Sequence, residues 1–571
     1  MSELANVPSD GELPSDLASC WAVIAAQREM IEALTAEQDK LRALIQHMLN
    51  GHRSERRVLT DPNQGWLPFE DNAEFQAARA EAEAEAQAIV EKYADQQKRK
   101  PRKPRSDSFP KHLHREERIM PADAALSHCG AHGPRQLIGY DATETLVYRR
   151  PELYVLVKKY PKYVCANEPA CGVASPERPT SLVEGDRYDT SVAATIVEAK
   201  WFHHLPIYRQ QDLFAGSGWV PGRSTLLNIV SQVAFVIAPL IESMTRLVQR
   251  DIGVGLDETS CRMLLPRETP QENDPKSRRL AEKVAEARAV GHDSLLAKMW
   301  VYSGLHAAPY NIFDFRVSRH RDGPDDFFRH SQCKVQGDCF SGNRSVVLKS
   351  DGRLEFVACW GHARRKFVEA TTYTTERDLL LGMIQALYDV EARAKDLSWQ
   401  ERQGLRQRES TIILESIHRW LDSEPLGAVL PKSDFAEALR YLRNHWQALN
   451  AYVSDGRIPI DNNAVERLMK QVAMGRKAWL FVASVAGGEQ SAQLMTLVSS
   501  ARRHDLDVWV YIKDVLDQLL AGSTDYQSLL PNVWKKSHPE AVREYRVAER
   551  RDKAERKKVA AAKRRLARPK R

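Results

Sequence analysis

The stretch from residue 251 to residue 360 constrains the fold most, because its apolar residues fall in short runs of β-strand length. Two of these runs lead into an aspartate: Asp257 in GVGLDET and Asp338 in KVQGDCFSG. Three more strand-like runs are KMWVYSG, NIFDFRVS and EFVACW, and helical segments lie between and after them. Mixed strands with intervening helices predict an α/β sheet that is covered on both faces.

A third carboxylate, Glu466, lies in the predicted helix NAVERLMKQVAMGRK. Asp461 is the alternative acid, but its position directly before two asparagines indicates that Asp461 and Asn462 cap this helix. Glu258, beside Asp257, is expected on the opposite face of the strand and therefore outside the site. The segments GVGLDET and RMLLP predict either one hairpin or two strands around Asp257.

Two acids from neighbouring strands and one from a facing helix can converge on a pair of divalent cations. Hard ions such as Mg²⁺ prefer carboxylate oxygens. A pair of such ions can bind both the attacking and the leaving oxygen of a phosphoryl transfer. An aspartate at a strand end is more often a turn former or a cap, so any one of these acids alone would be weak evidence.

A separate group of cysteines and histidines lies upstream. Cys129 and His132 form a Cys-x2-His pair, and Cys165 and Cys171 form a Cys-x5-Cys pair, with His128 as a substitute ligand. Two such pairs predict a tetrahedral Zn²⁺ site with a structural role, since the short segment has little core of its own. The alternative is that these are ordinary small loop residues.

The N-terminal region has the apolar spacing of a coiled coil. The alternative is one helix packed on its own domain. The run KRKPRKPR, from Lys98 to Arg105, suits contact with DNA phosphates or serves as a solvated linker. The heptad positions are Ile24, Ile31, Leu34, Leu41 and Met48.

Residues 189–250 have helical spacing throughout. Within them, IYRQQDLFAGSGWVPGRSTLLNIV predicts a helix, a Gly-Ser-Gly break and a second helix that Ser224 or Thr225 caps. This is the spacing of a helix-turn-helix (HTH), which indicates DNA binding, although plain helical bundles contain such pairs too.

Residues 371–449 predict a helical insertion without strands between the fifth strand and the helix of Glu466. The C-terminal segment ERRDKAERKKVAAAKRRLARPKR is strongly basic and nearly free of large apolar residues. It is expected to be disordered or marginally helical and to lie along DNA, or else to act only as a solubilising tail.

Bulk properties narrow the class of protein. A chain of 571 residues is expected to hold three or more domains. No run of 18 apolar residues and no apolar N-terminal segment are present, which predicts neither a membrane span nor a signal peptide. Eight cysteines in such a length suggest a reducing cytoplasm rather than a disulfide scaffold. The net charge of +7 is concentrated in a few runs, which favours a polyanionic partner.

Several segments together resemble the insertion-sequence-66 family of DDE transposases. They are LDET, QGDCFSG, CWGHARRKFVE, DNNAVER and GRKAWLF, with the Cys/His group and LPIYRQQ upstream, and the resemblance extends from about Arg53 to near Leu520. The sequence departs from the family pattern at His132, where a cysteine is usual, in the wide Cys165/Cys171 spacing, and at Cys339, where an aromatic residue is common.

The resemblance implies an RNase H-like fold and metal-dependent cleavage and joining of DNA strands at transposon ends. It assigns the catalytic roles, and the binding of two Mg²⁺ or Mn²⁺ ions, to Asp257, Asp338 and Glu466. It also implies a bacterial, cytoplasmic protein that associates with the nucleoid when it binds DNA, assembles with itself as a dimer or higher oligomer on transposon-end and target DNA, and works with small accessory proteins of the same element. Expected DNA-phosphate contacts, with surface ion pairs as the alternative, are His362, Arg365, Arg467, Arg476 and Lys477.

The predicted fold is an α/β RNase H-like catalytic core with an all-helical insertion, an N-terminal coiled coil, a small zinc-binding module and a helical HTH-like domain. Two other functions stay open from the sequence: a catalytically silent DNA-binding regulator derived from a transposase, and a coiled-coil scaffold. The predicted boundaries are 1–60 for the coiled-coil arm, 61–106 for a helix and basic linker, 107–185 for the zinc module, 186–250 for the HTH-like region, 251–370 and 451–500 for the core, 371–450 for the insertion, and 501–571 for a C-terminal helix and basic tail.

Overall fold

The computed structural model describes residues 72–99, 153–164 and 178–567, apart from short gaps at 186, 269, 272–274, 318–321, 340, 424–425 and 427–428, with isolated residues elsewhere. The predicted coiled-coil arm lies almost wholly outside these residues, as do His132, Cys165 and Cys171. Of Cys129 only the backbone is described: His128–Cys129 pairs with Gly133–Pro134. A second two-residue ladder joins Tyr163–Val164 to Val173–Ala174.

A five-stranded mixed sheet forms the centre of the fold. Its order is β3-β2-β1-β4-β5; β1, β2 and β3 are antiparallel neighbours, whereas β4 runs parallel to β1 and β5 parallel to β4. This α/β arrangement is compatible with the expected RNase H-like core. The strands are β1 Gly253–Leu264, β2 Ser294–Gly304, β3 Asn311–Arg316, β4 Cys333–Gly337 and β5 Leu354–Ala358.

The first strand is longer than the sequence suggested. GVGLDET and the start of RMLLP do not form a hairpin or two strands, because every residue from Val254 to Leu264 pairs with β2 in one unbroken antiparallel ladder. The prediction failed because the polar residues in the middle of this stretch look like a turn, whereas pairing with β2 on one side keeps them extended.

Helices occupy most of the remaining described chain. Those before and within the sheet region are α1 Ala73–Arg99, α2 Thr190–Val197, α3 Ile207–Ala215, α4 Arg223–Gln249, α5 Pro275–Ala289, α6 Asp322–Phe327 and α7 Ser341–Leu348. Those after β5 are α8 Trp360–Glu369, α9 Thr374–Ala394, α10 Trp399–Leu405, α11 Thr411–Leu421, α12 Asp434–Asn444, α13 Trp446–Asn450, α14 Asn463–Trp479, α15 Val485–Arg503, α16 Val508–Leu520, α17 Pro531–Ser537 and α18 Glu544–Leu566.

The pair α3 and α4 occupies the predicted HTH position. Gly222, rather than Ser224 or Thr225, is the N-cap of α4, so the predicted caps are wrong and both side chains lie in the first helical turn. Helix α4 is the one described helix that is long and apolar enough to cross a membrane, by length and composition only. Its apolar side nevertheless packs into the core of the sheet, with Ile229, Val233 and others fully buried.

A second core lies in the helical region that follows β5. Apolar residues of α8, α9, α11 and α12 meet there, and among the described residues between 359 and 462 there is no strand. Trp360, fully buried at the start of α8, donates its ring N–H to the carbonyl of Leu449 at 2.8 Å. This bond fixes the start of α8 against the helical region.

The C-terminal basic segment is not disordered up to Leu566. It forms α18, which packs against α1, with Val559 and Ala562 of α18 and Ala82 and Ala86 of α1 buried. Small side chains let the two helices approach closely, so little large apolar surface is needed. Of the two expected states, disordered or marginally helical, the disordered one was wrong. The expectation took account of the segment's own composition and not of a helix more than 400 residues away.

Candidate active site

Asp257 lies within β1, and Asp338 directly follows β4, the parallel neighbour of β1. The ladder between β1 and β4 pairs Gly253 with Lys334 and ends with Gly255 opposite Gln336. The same offset of 81 residues, continued by two positions, places Asp338 opposite Asp257 (336 − 255 and 338 − 257). Asp338 directly follows the carboxyl end of β4, where side chains of parallel strands meet at one sheet edge.

Glu466 comes to this edge on the first turn of α14. Asn462, the N-cap of α14, donates its side-chain N–H to the carbonyl of Leu256 at 2.8 Å, one residue before Asp257. The helix crosses β1 at Gly255, where a Cβ would lie 2.6 Å from Cγ2 of Val465. A glycine on the strand and an amide on the helix thus hold Glu466 against the face of β1 that bears Asp257.

The carboxyl of Asp257 is in an unfavourable environment for a charge. Burial, together with the nearby carboxylates of Glu466, Glu258 and Asp338, raises its pKa to about 7. The backbone N–H of Glu258 donates to Asp257 at 2.8 Å and partly opposes these effects. Like charges in a half-buried site are stable together when a cation neutralises them.

Three side chains surround Glu466 from the side of α8. Nδ1 of His362 lies 3.6 Å from Oε1 of Glu466, and an Nη of Arg365 lies 3.8 Å from Oε2. Sγ of Cys359 completes a group of ligand atoms within 4.8 Å of one another. Burial raises the pKa of the Cys359 thiol to about 12, and Sγ accepts the backbone N–H of Asn462 at 3.1 Å, so Cys359 remains a neutral, hydrogen-bonded thiol.

The predicted DNA-contacting cations differ in their surroundings. Arg467 and Lys477 are exposed on α14. Arg476 instead donates to Thr259 at 3.1 Å and to the backbone carbonyl of Ser260, and so ties the end of α14 to β1. His362 and Arg365 lie beside Glu466 rather than on an open surface.

The predicted caps of α14 are partly wrong. Asp461 lies one residue before the N-cap; it accepts a bond from the backbone of Asn463 at 3.2 Å and one from the hydroxyl of Tyr388 at 3.1 Å. Asn462 is the N-cap, but its side chain bonds β1 instead of the helix. The sequence interpretation therefore missed Asn462 and Cys359 as residues that position Glu466. The signal that could have identified them is that both lie in segments that carry the family resemblance, DNNAVER and CWGHARRKFVE.

The donor set suits hard divalent cations. Asp257, Asp338 and Glu466 offer carboxylate oxygens, the ligands such ions prefer. Oε1 of Glu466 and Nδ1 of His362 are buried and have no hydrogen-bond partner among the described residues. Unpartnered buried polar atoms are rare in folded proteins, so these two fit a site that a bound group completes.

Two protein-family models match this chain. The model of the family "Transposase IS66 family" matches residues 185–279 and 283–490, which include β1, β4, α8 and α14. A second family model, "Transposase C of IS166 homeodomain", matches residues 40–118, which include α1.

Full-length relatives occur in Sinorhizobium fredii (strain NBRC 101917 / NGR234). The uncharacterized protein y4jD is 30% identical over 505 residues, which cover 86% of this chain and 93% of the relative. The uncharacterized protein y4qI is 27% identical over 550 residues, with 92% and 93% coverage. The family match, which covers more than half of the chain, shows that this chain belongs to the IS66 family of transposases.

Proposed function

We propose that this transposase cleaves and joins DNA strands at transposon ends in a metal-dependent reaction, and that Asp257, Asp338 and Glu466 form its DDE triad. The observation that carries this proposal is the approach of three carboxylates from β1, β4 and α14 to one sheet edge. The raised pKa of Asp257, to which Glu466 and Asp338 contribute, supports it. A buried acid whose pKa is raised by burial and by specific neighbouring charges is typical of functional sites.

The reaction has two transfers of the same kind. In the first, a water oxygen attacks the phosphorus of a phosphodiester bond, and the 3′-oxygen leaves to give a free 3′-hydroxyl. In the second, the oxygen of this hydroxyl attacks the phosphorus of a phosphodiester bond in the target DNA, and the 3′-oxygen of the target strand leaves as a free 3′-hydroxyl. Two Mg²⁺ or Mn²⁺ ions, when bound, supply Lewis-acid stabilisation of the attacking and leaving oxygens.

The chain's own residues position these groups. Asp257 is held in the β1–β2 ladder opposite Val301, and Glu466 is held by the Asn462 bond to β1, so their carboxylates have little freedom. The exposed Arg467 and Lys477 offer charges for the DNA backbone without reading its bases. This fits a reaction in which the protein supplies mainly position and charge.

Other parts of the chain have proposed supporting roles. The α3–α4 pair serves as an HTH-like DNA-binding element, and the N-terminal arm mediates assembly with a second copy. Cys129, His132, Cys165 and Cys171 bind a structural Zn²⁺; the two short ladders that flank these pairs are consistent with paired knuckles. Small accessory proteins of the same element complete the proposed complex.

A strand-transfer assay tests the catalytic proposal. The substrate is DNA with the terminal sequences that flank the gene, incubated with the full chain and Mg²⁺ or Mn²⁺. We expect Asp257→Asn and Asp338→Asn each to lower the cleavage rate by at least about 10³-fold, because several kcal/mol of charge stabilisation are lost.

Glu258→Gln is the matched control, because this acid neighbours Asp257 but points to the other face of β1, and its rate should stay within a few-fold of the parent. Full activity of Asp257→Asn would refute the triad. Binding of the end DNA without cleavage by the parent protein would instead favour a silent regulator derived from a transposase.

A further inference from the structure

His362 and Glu466 face each other with unsatisfied atoms. Nδ1 of His362 and Oε1 of Glu466 are both buried and without a hydrogen-bond partner among the described residues, and they lie 3.6 Å apart. This distance is too long for a hydrogen bond. Two neighbouring buried polar atoms that each lack a hydrogen-bond partner indicate that a third group contacts both of them.

The separation fits a shared cation. Nitrogen and oxygen ligands about 2.1 Å from one ion lie roughly 3.0 Å apart at a right angle and roughly 4.2 Å apart when opposed. The observed 3.6 Å falls between these limits. A shared cation therefore needs no large movement of either side chain.

The neighbouring groups leave these two atoms available. Arg365 approaches Oε2, the other oxygen of Glu466. Sγ of Cys359 already accepts the backbone N–H of Asn462. Imidazole nitrogen and carboxylate oxygen are then the donors that remain in this group.

His362 is also held firmly. It lies on the first turn of α8, where its backbone N–H donates to the carbonyl of Cys359 at 3.2 Å. Trp360 and Ala363, on either side of it, are fully buried in the helical core. A ligand carried on so rigid a helix keeps its geometry as ions bind and leave.

We infer that His362 is a direct ligand of the cation that Glu466 binds, which makes this a mixed nitrogen and oxygen site rather than a site of carboxylates alone. The inference rests on the proposed metal-dependent function. It changes the expected role of His362 from a DNA-phosphate contact to a metal ligand. It also predicts that Mn²⁺ binds more tightly than Mg²⁺, because imidazole suits transition metals whereas Mg²⁺ prefers oxygen.

Pulsed electron paramagnetic resonance of bound Mn²⁺ tests the inference in the full chain. A directly bound histidine should produce nitrogen modulation of the Mn²⁺ signal, and growth with ¹⁵N-histidine should change that pattern in the otherwise unaltered protein. In His362→Gln the nitrogen modulation should disappear and Mn²⁺ affinity should fall about 10- to 100-fold. The matched control is His418→Gln, on the exposed surface of α11, which should keep both.

The outcomes separate the two proposals. Mn²⁺ binding that Asp257→Asn weakens, but with no nitrogen modulation in the unaltered protein, would overturn the role of His362 and leave the triad intact. Nitrogen modulation that persists in His362→Gln would also overturn it. Failure of the unaltered protein to bind Mn²⁺, with or without end DNA, would remove the metal-dependent function as well.

Discussion

The carboxylates of the sheet edge and those of the helical region after β5 have opposite electrostatic surroundings. In the helical region, the fully buried Arg406 contacts both carboxylate oxygens of Glu391, at 2.7 and 2.8 Å. Asp434 accepts bonds from the backbone and hydroxyl groups of Thr371 and Thr372. At the sheet edge, Asp257 instead faces other carboxylates.

The pKa values express this contrast. Hydrogen bonds from Thr371 and Thr372 outweigh the effect of burial and lower the pKa of Asp434 to about 2. Burial and like charges raise the pKa of Asp257 to about 7. The charge of Asp434 is thus stabilised by groups of the chain itself, whereas the charge of Asp257 is disfavoured by its surroundings, an effect that a bound cation would reverse.

Of the substitutions that test this contrast through protein stability, Arg406→Met should have the largest effect. We expect the free energy of unfolding to fall by about 3–5 kcal/mol, because Glu391, whose side chain is only 14% exposed, would lose its partner. The carbonyls of Tyr452, Asp455 and Ile458, which also accept from Arg406, would lose a donor. Urea unfolding followed by tryptophan fluorescence measures the change.

Arg408→Met is the matched control for that experiment, since Arg408 is exposed two residues along the same helical segment. Arg408→Met should change the free energy of unfolding by no more than about 0.5 kcal/mol. An equal loss in both variants would show that the buried pair is not the source of stability.

A smaller effect is expected for Asp434→Asn. Loss of the charged hydrogen-bond acceptor should lower the free energy of unfolding by about 1–2 kcal/mol at neutral pH. Because the pKa of Asp434 is lowered in the folded state, its contribution is present above the ordinary value of 3.8 and disappears as the pH falls towards 2.

The measurement is the difference in unfolding temperature between parent and variant across this range. The difference should shrink from pH 4 to pH 2. The control is Asp422→Asn, at an exposed position, which should have the same unfolding temperature as the parent. A difference that is constant with pH would contradict the assigned cause.

The smallest effect on the free energy of unfolding is expected for Asp257→Asn without metal. Its sign should be opposite to that of the other two substitutions. In EDTA at pH 8 the substitution removes repulsion between carboxylates, so the protein should be unchanged or more stable by up to about 1 kcal/mol. Added Mg²⁺ should then stabilise the parent more than the variant, since the ligand binds only the folded site. A clear loss of stability in EDTA would mean that Asp257 is a structural residue like Asp434.

The strands could be anticipated because they depend on a local feature, apolar runs of strand length. The assignment of Asp257, Asp338 and Glu466 to one site, made from acids in or beside such runs and in the segment DNNAVER, stays a prediction. The contacts around Glu466 could not be anticipated. His362 and Glu466 are 104 residues apart (466 − 362), and the amide of Asn462 looked like a helix cap until its bond to β1 was seen. Local periodicity carries no information about which distant helix crosses a strand.

The same limit applies to the unbroken β1 and to α18. Polar residues within β1 remain extended because β2 pairs with each of them. Helix α18 is ordered through burial of Val559 and Ala562 beside α1, although its own composition suggested otherwise. Both errors came from evaluating a segment without its partner.

The pairing of α1 with α18 bears on how the protein is made. Helix α1 leaves the ribosome about 445 residues before α18 begins (544 − 99), which at ordinary rates of synthesis is a delay of roughly 20 to 90 seconds. During that time the alanine-rich face of α1 has no native surface to cover it. A copy of the gene that is interrupted before codon 544 therefore yields a chain whose N-terminal helix never finds its partner, and such a product should be an early target for proteolysis.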